Sequence, residues 1–220
     1  MYLYLTIVVL KKEGHFNLAR KKEVMIHVLK GPFEKASRPL VDLLIKHHCT
    51  AFHLTIIAFF GTLVAAFVIY YQNWVLGASL FMLFSLVDAL DGSLARRNNT
   101  VKPIGAFFDS VMDRFSDSAI LFAIIFYAFN AEKRDVFLLG LLALIAALIT
   151  SYIKAKAENF LELGSIGLLQ RPERVLIIFL MLLFPKYLIL GLWILVIGGY
   201  ITICQRLYSA YKKFNHQSLP

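Results

Sequence analysis

Apolar residues in this chain come in long blocks rather than in stripes. From Ala51 to Tyr71 no charged residue interrupts the run, which is long enough to cross a bilayer, and Tyr70, Tyr71 and Trp74 form an aromatic belt at its far end. A second block returns from about Trp74 and runs out through Asp88-Ala-Leu-Asp91-Gly92. After the short basic link Arg96 to Lys102, a third begins near Ile104 and continues to about Phe129, with Asp109, Asp113 and Asp117 in its first turns. The fourth covers about Val136 to Tyr152 and leads into Lys154-Ala-Lys156-Ala-Glu158. Beyond a glycine-containing loop, Arg171-Pro-Glu-Arg174 precedes the run Val175 to Phe184, which is short for a span unless its helix takes in residues from about Leu168. Pro185-Lys186 breaks that run, and the last block covers about Leu188 to Leu207. The pattern predicts an all-α polytopic membrane protein with about six transmembrane helices.

The ends of the chain read differently. The opening MYLYLTIVVL is too short to span and lacks the basic start and small-residue cleavage site of a secretory signal, so residues 1–30 are assigned as a tail without a role. Residues 31–49 are expected to form an amphipathic helix on the cytoplasmic surface. Lys35, Arg38, Asp42 and Lys46 lie along one face, with Phe33, Leu40, Leu43 and Leu44 largely opposite, and Pro39 starts or kinks it. The membrane domain is placed at residues 50–213 and a C-terminal tail at 214–220.

Composition supports the membrane reading: 59% of the residues are hydrophobic, and mean hydropathy is +0.70. The formal net charge of +9 would suggest nucleic acid in a soluble protein. Here the bases flank apolar blocks, so anionic headgroups and phosphorylated substrates are the expected partners, and nucleic acid is not. Lys and Arg crowd the segment before the first span, the link, the fourth-to-fifth loop and the C-terminus, whereas the outer loops carry Lys133, Arg134 and Lys186. The positive-inside rule then puts both termini and the acidic segment on the cytoplasmic side of the cell (inner) membrane. Cys49 and Cys204 suggest neither a disulfide framework nor a thiolate metal site, and the six histidines show no ligand spacing.

The chemistry concentrates between Val87 and Asp117. An unpaired carboxylate buried between apolar segments costs several kcal/mol, so Asp88, Asp91, Asp109 and Asp113 require cations. Asp88 and Asp91 are three apart and Asp109 and Asp113 four apart, so each pair shares one helix face, and two facing pairs would make an oxygen-rich cage. Hard divalent cations suit such a cage and keep positions open for water and phosphate, which points to a diphosphate substrate. A solvated acidic loop with capping aspartates is the plain alternative, but it would not carry aspartates at helical spacing into an apolar run.

The pattern Asp88-x2-Asp91-Gly92-x2-Ala95-Arg96-x8-Gly105-x3-Asp109-x3-Asp113 resembles the signature of the CDP-alcohol phosphatidyltransferase family at every specified position. The resemblance implies that Asp88, Asp91, Asp109 and Asp113 hold two Mg²⁺ or Mn²⁺ ions and that Asp113 is also the catalytic base. It places Gly92, Ala95, Arg96 and Gly105 around the cytidine nucleotide. For Gly92, Ala95 and Gly105, close helix packing is the competing explanation on sequence alone. Asp117 lies outside the signature and reads either as a support behind the cage or as a structural cap. Relatives often carry Thr-Pro-Asn-x-x-Thr where this chain has Thr50-Ala-Phe-His53-Leu-Thr55, which puts nucleotide contacts or helix entry there in doubt.

SYIKAKAE, RPER and the closing QR also resemble the segments that phosphatidylinositol phosphate synthases place around the acceptor phosphate. Lys156, Arg171, Arg174 and Arg206 are the corresponding residues. The expected reaction moves a phosphatidyl group from CDP-diacylglycerol, or a related CDP-lipid, to a phosphorylated polyol with release of CMP. Inositol phosphate is the first acceptor and glycerol 3-phosphate the second, and a homodimer is implied by the same resemblance. A divalent-cation transporter could use the same carboxylates, but it leaves Gly92, Ala95 and Arg96 at their spacing unexplained.

Overall fold

The structure, a computed structural model, describes residues 37–47, 49–97, 103–161, 163–164 and 166–217, with the side chains of residues 216 and 217 excepted. The tail at 1–30, the beginning of the 31–49 helix and most of the basic link therefore lie outside the described residues. All regular elements among the described residues are helical. They are α1 (residues 37–46), α2 (Ala51–Tyr70), α3 (Trp74–Arg97), α4 (Pro103–Asn130), α5 (Arg134–Glu158), α6 (Arg171–Leu183), a 3₁₀ turn (Pro185–Tyr187) and α7 (Leu188–Gln217).

Local chemistry sets several of these boundaries. Thr50 caps α2: its hydroxyl accepts from the His53 backbone N–H (3.3 Å), while His53 Nδ1 accepts from the Thr50 N–H (3.4 Å). This reciprocal box provides the helix entry that the missing proline and asparagine had put in doubt. Proline, whose fixed φ suits a first turn, opens α4 at Pro103 and stands second in α6 at Pro172. Gln170 and Glu173 form a second capping box on α6, so that helix starts at Arg171 and takes in none of the loop from Leu168. Pro185 then ends it within the 3₁₀ turn. At the other end of the chain, α7 runs past the expected end of the membrane domain at residue 213.

Among the described residues four elements are long and apolar enough to cross a membrane: α2, α3, α5 and Pro185–Asn215. Many large apolar side chains on them face outward, among them Phe60, Phe67, Leu138, Ile145, Ile189 and Ile197. A surface of this kind suits lipid rather than water, and the protein is an integral membrane protein. At 28 residues α4 has ample length, but it carries Asp109, Asp113, Arg114 and Asp117, while α6 has only 13 residues.

The main core runs through α2 to α7 around Ile69, Phe81, Ile120, Ile124, Ile178 and Leu192. Small residues let the helices approach: a Cβ on Gly140 would stand 2.7 Å from Ile125 Cγ1, and one on Gly199 would stand 2.8 Å from the Ala146 Cβ. A smaller cluster of Val41, Leu54, Leu90 and Leu94 seats α1 against the α2 and α3 ends that carry the acidic segment. There Asp42 pairs with Arg97 at 2.8 Å. Val41 is the buried anchor of α1, whereas Leu40 and Leu43 face outward.

The loop between α5 and α6 is held by α7. Thr202 accepts from the Leu169 N–H (2.9 Å), Gln205 from the Leu168 N–H (2.9 Å), and Arg206 Nε donates to the Ile166 carbonyl (2.9 Å). Gly167 turns this loop at φ +133°, with Thr202 Cγ2 where a Cβ would go. Gly167→Ala is expected to destabilise the protein by more than about 1 kcal/mol, since alanine is strained at that φ and clashes as well. A lowered thermal midpoint in detergent checks this, and an unchanged midpoint would refute it.

Candidate active site

The end of α3 and the start of α4 bring Asp88, Asp91 and Asp109 together. One carboxylate oxygen of each lies within 4.8 Å of the others. Asp88 and Asp91 are 8% and 7% exposed. Thr55 on α2 donates to Asp91 Oδ2 at 2.6 Å, with the Ala51 carbonyl 3.1 Å from the same hydroxyl. Arg171, the first residue of α6, reaches into the cluster: its Nη1 lies 2.6 Å from Asp88 Oδ2 and its Nη2 lies 2.7 Å from Asp113 Oδ1. Asp113 thus stands beside the trio, joined to it through Arg171. Among the described residues no Lys or Arg lies within ion-pair distance of Asp91 or Asp109.

This donor set fits a divalent cation. It consists of hard carboxylate oxygens converging from two helices, and two of its three acids lack a cationic partner among the described residues. Asp88, Asp91 and Asp109 would be the first holders, with Asp113 next to them.

The residues expected around a nucleotide lie at the same end of α3 and α4. Among the described residues only Arg96 Nη1 comes close to a Cβ on Gly92 (3.3 Å), and nothing lies within 4 Å of one on Gly105. Packing between the described helices therefore does not account for either glycine. Arg96 is exposed, with Nη2 3.4 Å from Ser93 Oγ, and Ala95 is half-buried.

Of the four basic residues expected around an acceptor, the structure brings three together. Arg174 donates from Nη2 to Asp117 Oδ2 (2.9 Å) and from Nη1 to Thr150 Oγ1 (3.4 Å), and Arg206 Nη1 donates to the Thr150 carbonyl. Arg171 lies alongside, its Nε 3.9 Å from Asp117 Oδ1. Lys156 instead reaches over the Phe160 ring, 5.9 Å from its centre. Sequence reasoning did not assign Thr55 or Thr150 to the site and left Asp117 ambiguous. The only signal for Asp117 was its place four residues after Asp113, and nothing marked Thr150.

The family model for CDP-alcohol phosphatidyltransferase matches residues 49–204. The chain belongs to the CDP-alcohol phosphatidyltransferase family. It is an enzyme that transfers a phosphatidyl group, and the matched residues contain the whole aspartate arrangement, which leaves no need for a cation transporter. The archaetidylinositol phosphate synthase of Pyrococcus horikoshii is 38% identical over 190 residues, covering 84% of this chain and 94% of that protein. The phosphatidylinositol phosphate synthase of Mycobacterium tuberculosis has been solved with CDP-DAG bound and, separately, in complex with manganese and citrate. The first superposes with a TM-score of 0.75 at 29% identity, covering 80% of this chain and 94% of that one. The second gives 0.72 at 29% identity, covering 79% and 88%.

Proposed function

We propose that this phosphatidyltransferase joins the phosphatidyl group of CDP-diacylglycerol to inositol phosphate and releases CMP, with Mg²⁺ or Mn²⁺ at the aspartate cage. The observation that carries the reading is the direct junction of two sites: the oxygen cluster of Asp88, Asp91 and Asp109 touches, through Arg171, a group of arginines suited to a phosphorylated acceptor. Relatives named for inositol phosphate products support that acceptor.

Two divalent ions held by Asp88, Asp91, Asp109 and Asp113 would screen the pyrophosphate and the charge that builds up on CMP as it leaves. The space at Gly92 and Gly105, with Ala95 between them in sequence, admits the cytidine nucleotide, and Arg96 lies beside it. Asp113 takes the proton of the acceptor hydroxyl. That oxygen bonds to the phosphorus bearing the diacylglycerol, and the bond from this phosphorus to the CMP oxygen breaks. Arg171, Arg174 and Arg206, with Lys156 at the rim, bind the acceptor phosphate, whose charge must be paired as it leaves water.

The same reading gives six crossings. Besides the four apolar spans, α4 crosses with its acids turned to the site, and α6 is short because it starts at the depth of the polar site rather than at the membrane surface. α1 lies on the cytoplasmic face, with Leu40 and Leu43 in the headgroup layer and Val41 on the protein. Residues 50–213 act as one membrane domain in the cell membrane, with both termini cytoplasmic, and the family resemblance adds a homodimer.

Purified protein given CDP-diacylglycerol and Mg²⁺ should release CMP with inositol phosphate in preference to glycerol 3-phosphate or free inositol. Gly105→Val should raise the KM for CDP-diacylglycerol and leave the thermal midpoint in place. Equal use of free inositol would refute the acceptor, and an unchanged donor KM would remove Gly105 from the nucleotide site.

A further inference from the structure

Asp109, Asp113 and Asp117 recur every four residues on α4 and so form one stripe, but their surroundings differ. The first joins the oxygen cluster and the second meets Arg171. The third is 6% exposed, lies outside the three-acid cluster and meets the arginines of α6. Its Oδ2 accepts from Arg174 at 2.9 Å, and its Oδ1 lies 3.9 Å from Arg171 Nε; both of these latter atoms lack a hydrogen-bond partner among the described residues. Thr150, 1% exposed, completes the arrangement. Its hydroxyl accepts from Arg174 and its carbonyl from Arg206. Leu121, Ala143, Ile178 and Leu195 line a small cavity with Asp117, Thr150 and Arg174, so on that side neither charge can turn to water.

We propose that Asp117 is a positioning residue for acceptor recognition: with the Thr150 hydroxyl, it fixes Arg174, beside which the Thr150 carbonyl holds Arg206, so that Arg174 presents preset donors to the acceptor phosphate. Asp117 touches neither acceptor nor metal. A guanidinium held at one edge keeps its remaining N–H groups in a rigid fork, and less rotamer freedom is lost when phosphate binds. A carboxylate also balances charge where basic side chains converge, as a neutral residue would not. This inference rests on the phosphorylated-acceptor reading above.

The test uses the full chain in nanodiscs with CDP-diacylglycerol, Mg²⁺ and inositol phosphate as the acceptor probe. Wild-type CMP release comes first: silence with inositol phosphate and with glycerol 3-phosphate would overturn the reading and this inference together. Given an active wild type, Asp117→Asn should raise the acceptor KM about 10-fold or more, the loss expected for a charged hydrogen bond, with the CDP-diacylglycerol KM within about twofold. Asp117→Glu should recover part of the loss. Placed on Arg174→Gln, Asp117→Asn should add nothing further to the acceptor KM, because its effect passes through Arg174. Equal changes in both KM values, or full additivity with Arg174→Gln, would reduce Asp117 to a structural residue and overturn the inference. If Asp117→Asn does not fold, Thr150→Val removes the hydroxyl that is the second anchor of Arg174, and leaves the carbonyl that holds Arg206, without stranding a charge. It should raise the acceptor KM selectively, and an unchanged acceptor KM in that variant would likewise overturn the inference.

Discussion

Asp91→Asn protein is expected to fold as well as wild type, to bind Mn²⁺ more than about 100-fold more weakly, and to release no CMP above background. Asp91 is the most confined of the cluster acids: it is 7% exposed, held by the Thr55 hydroxyl at 2.6 Å, and has no cationic partner among the described residues. Asparagine keeps the shape and can still accept from Thr55 through its amide oxygen. What disappears is the charge, whose burial disfavours folding and favours a divalent ion. Loss of activity should therefore come without loss of stability, the signature of a residue kept for binding rather than for the fold. Mn²⁺ titration followed by electron paramagnetic resonance, CMP release and thermal unfolding on one preparation decide the matter. Full turnover of the variant, or turnover by wild type in EDTA, would sink the metal site; collapse of the fold would assign Asp91 to structure.

Asp113→Asn should separate chemistry from binding. Asp113 shares α4 with Asp109, yet its Oδ1 lies 2.7 Å from Arg171 while the three-acid cluster forms without it. A base at this position should contribute about 10²- to 10⁴-fold to turnover. The expected result is a kcat fall of that size, with the CDP-diacylglycerol KM and Mn²⁺ affinity each changed by less than about 10-fold. A loss of Mn²⁺ binding equal to that of Asp91→Asn would make Asp113 chiefly a ligand, and near wild-type turnover would remove it from the mechanism.

These two variants differ because the structure divides the aspartates in a way their spacing does not. Spacing makes Asp88 with Asp91, and Asp109 with Asp113, equivalent pairs. In the fold one member of each pair also answers to Arg171, and Asp117 continues the stripe to Arg174. The glycines of the signature show the reverse case. Their sequence context allowed either helix packing or ligand clearance, and among the described residues no neighbouring helix packs on Gly105 or Gly92.

Sequence alone determined what depends on neighbours within one helix. Apolar blocks of membrane length gave α2, α3, α5 and α7, proline and glycine marked several boundaries, and the three- and four-residue spacing put the acids on common faces. Those are local properties, because backbone hydrogen bonds and side-chain direction in a helix repeat every few residues. Tertiary structure alone decided the partners: Thr55 for Asp91 across 36 residues, Arg171 for Asp88 across 83, Arg174 for Asp117 across 57 and Arg206 for the Thr150 carbonyl across 56. Each depends on the rotation of one helix about its axis and its height against another. Those are set where bulk meets absence of bulk, as at Phe84 on Gly61 and Ala146 beside Gly199. Such complementarity belongs to pairs of distant residues, and no periodicity within either segment encodes it.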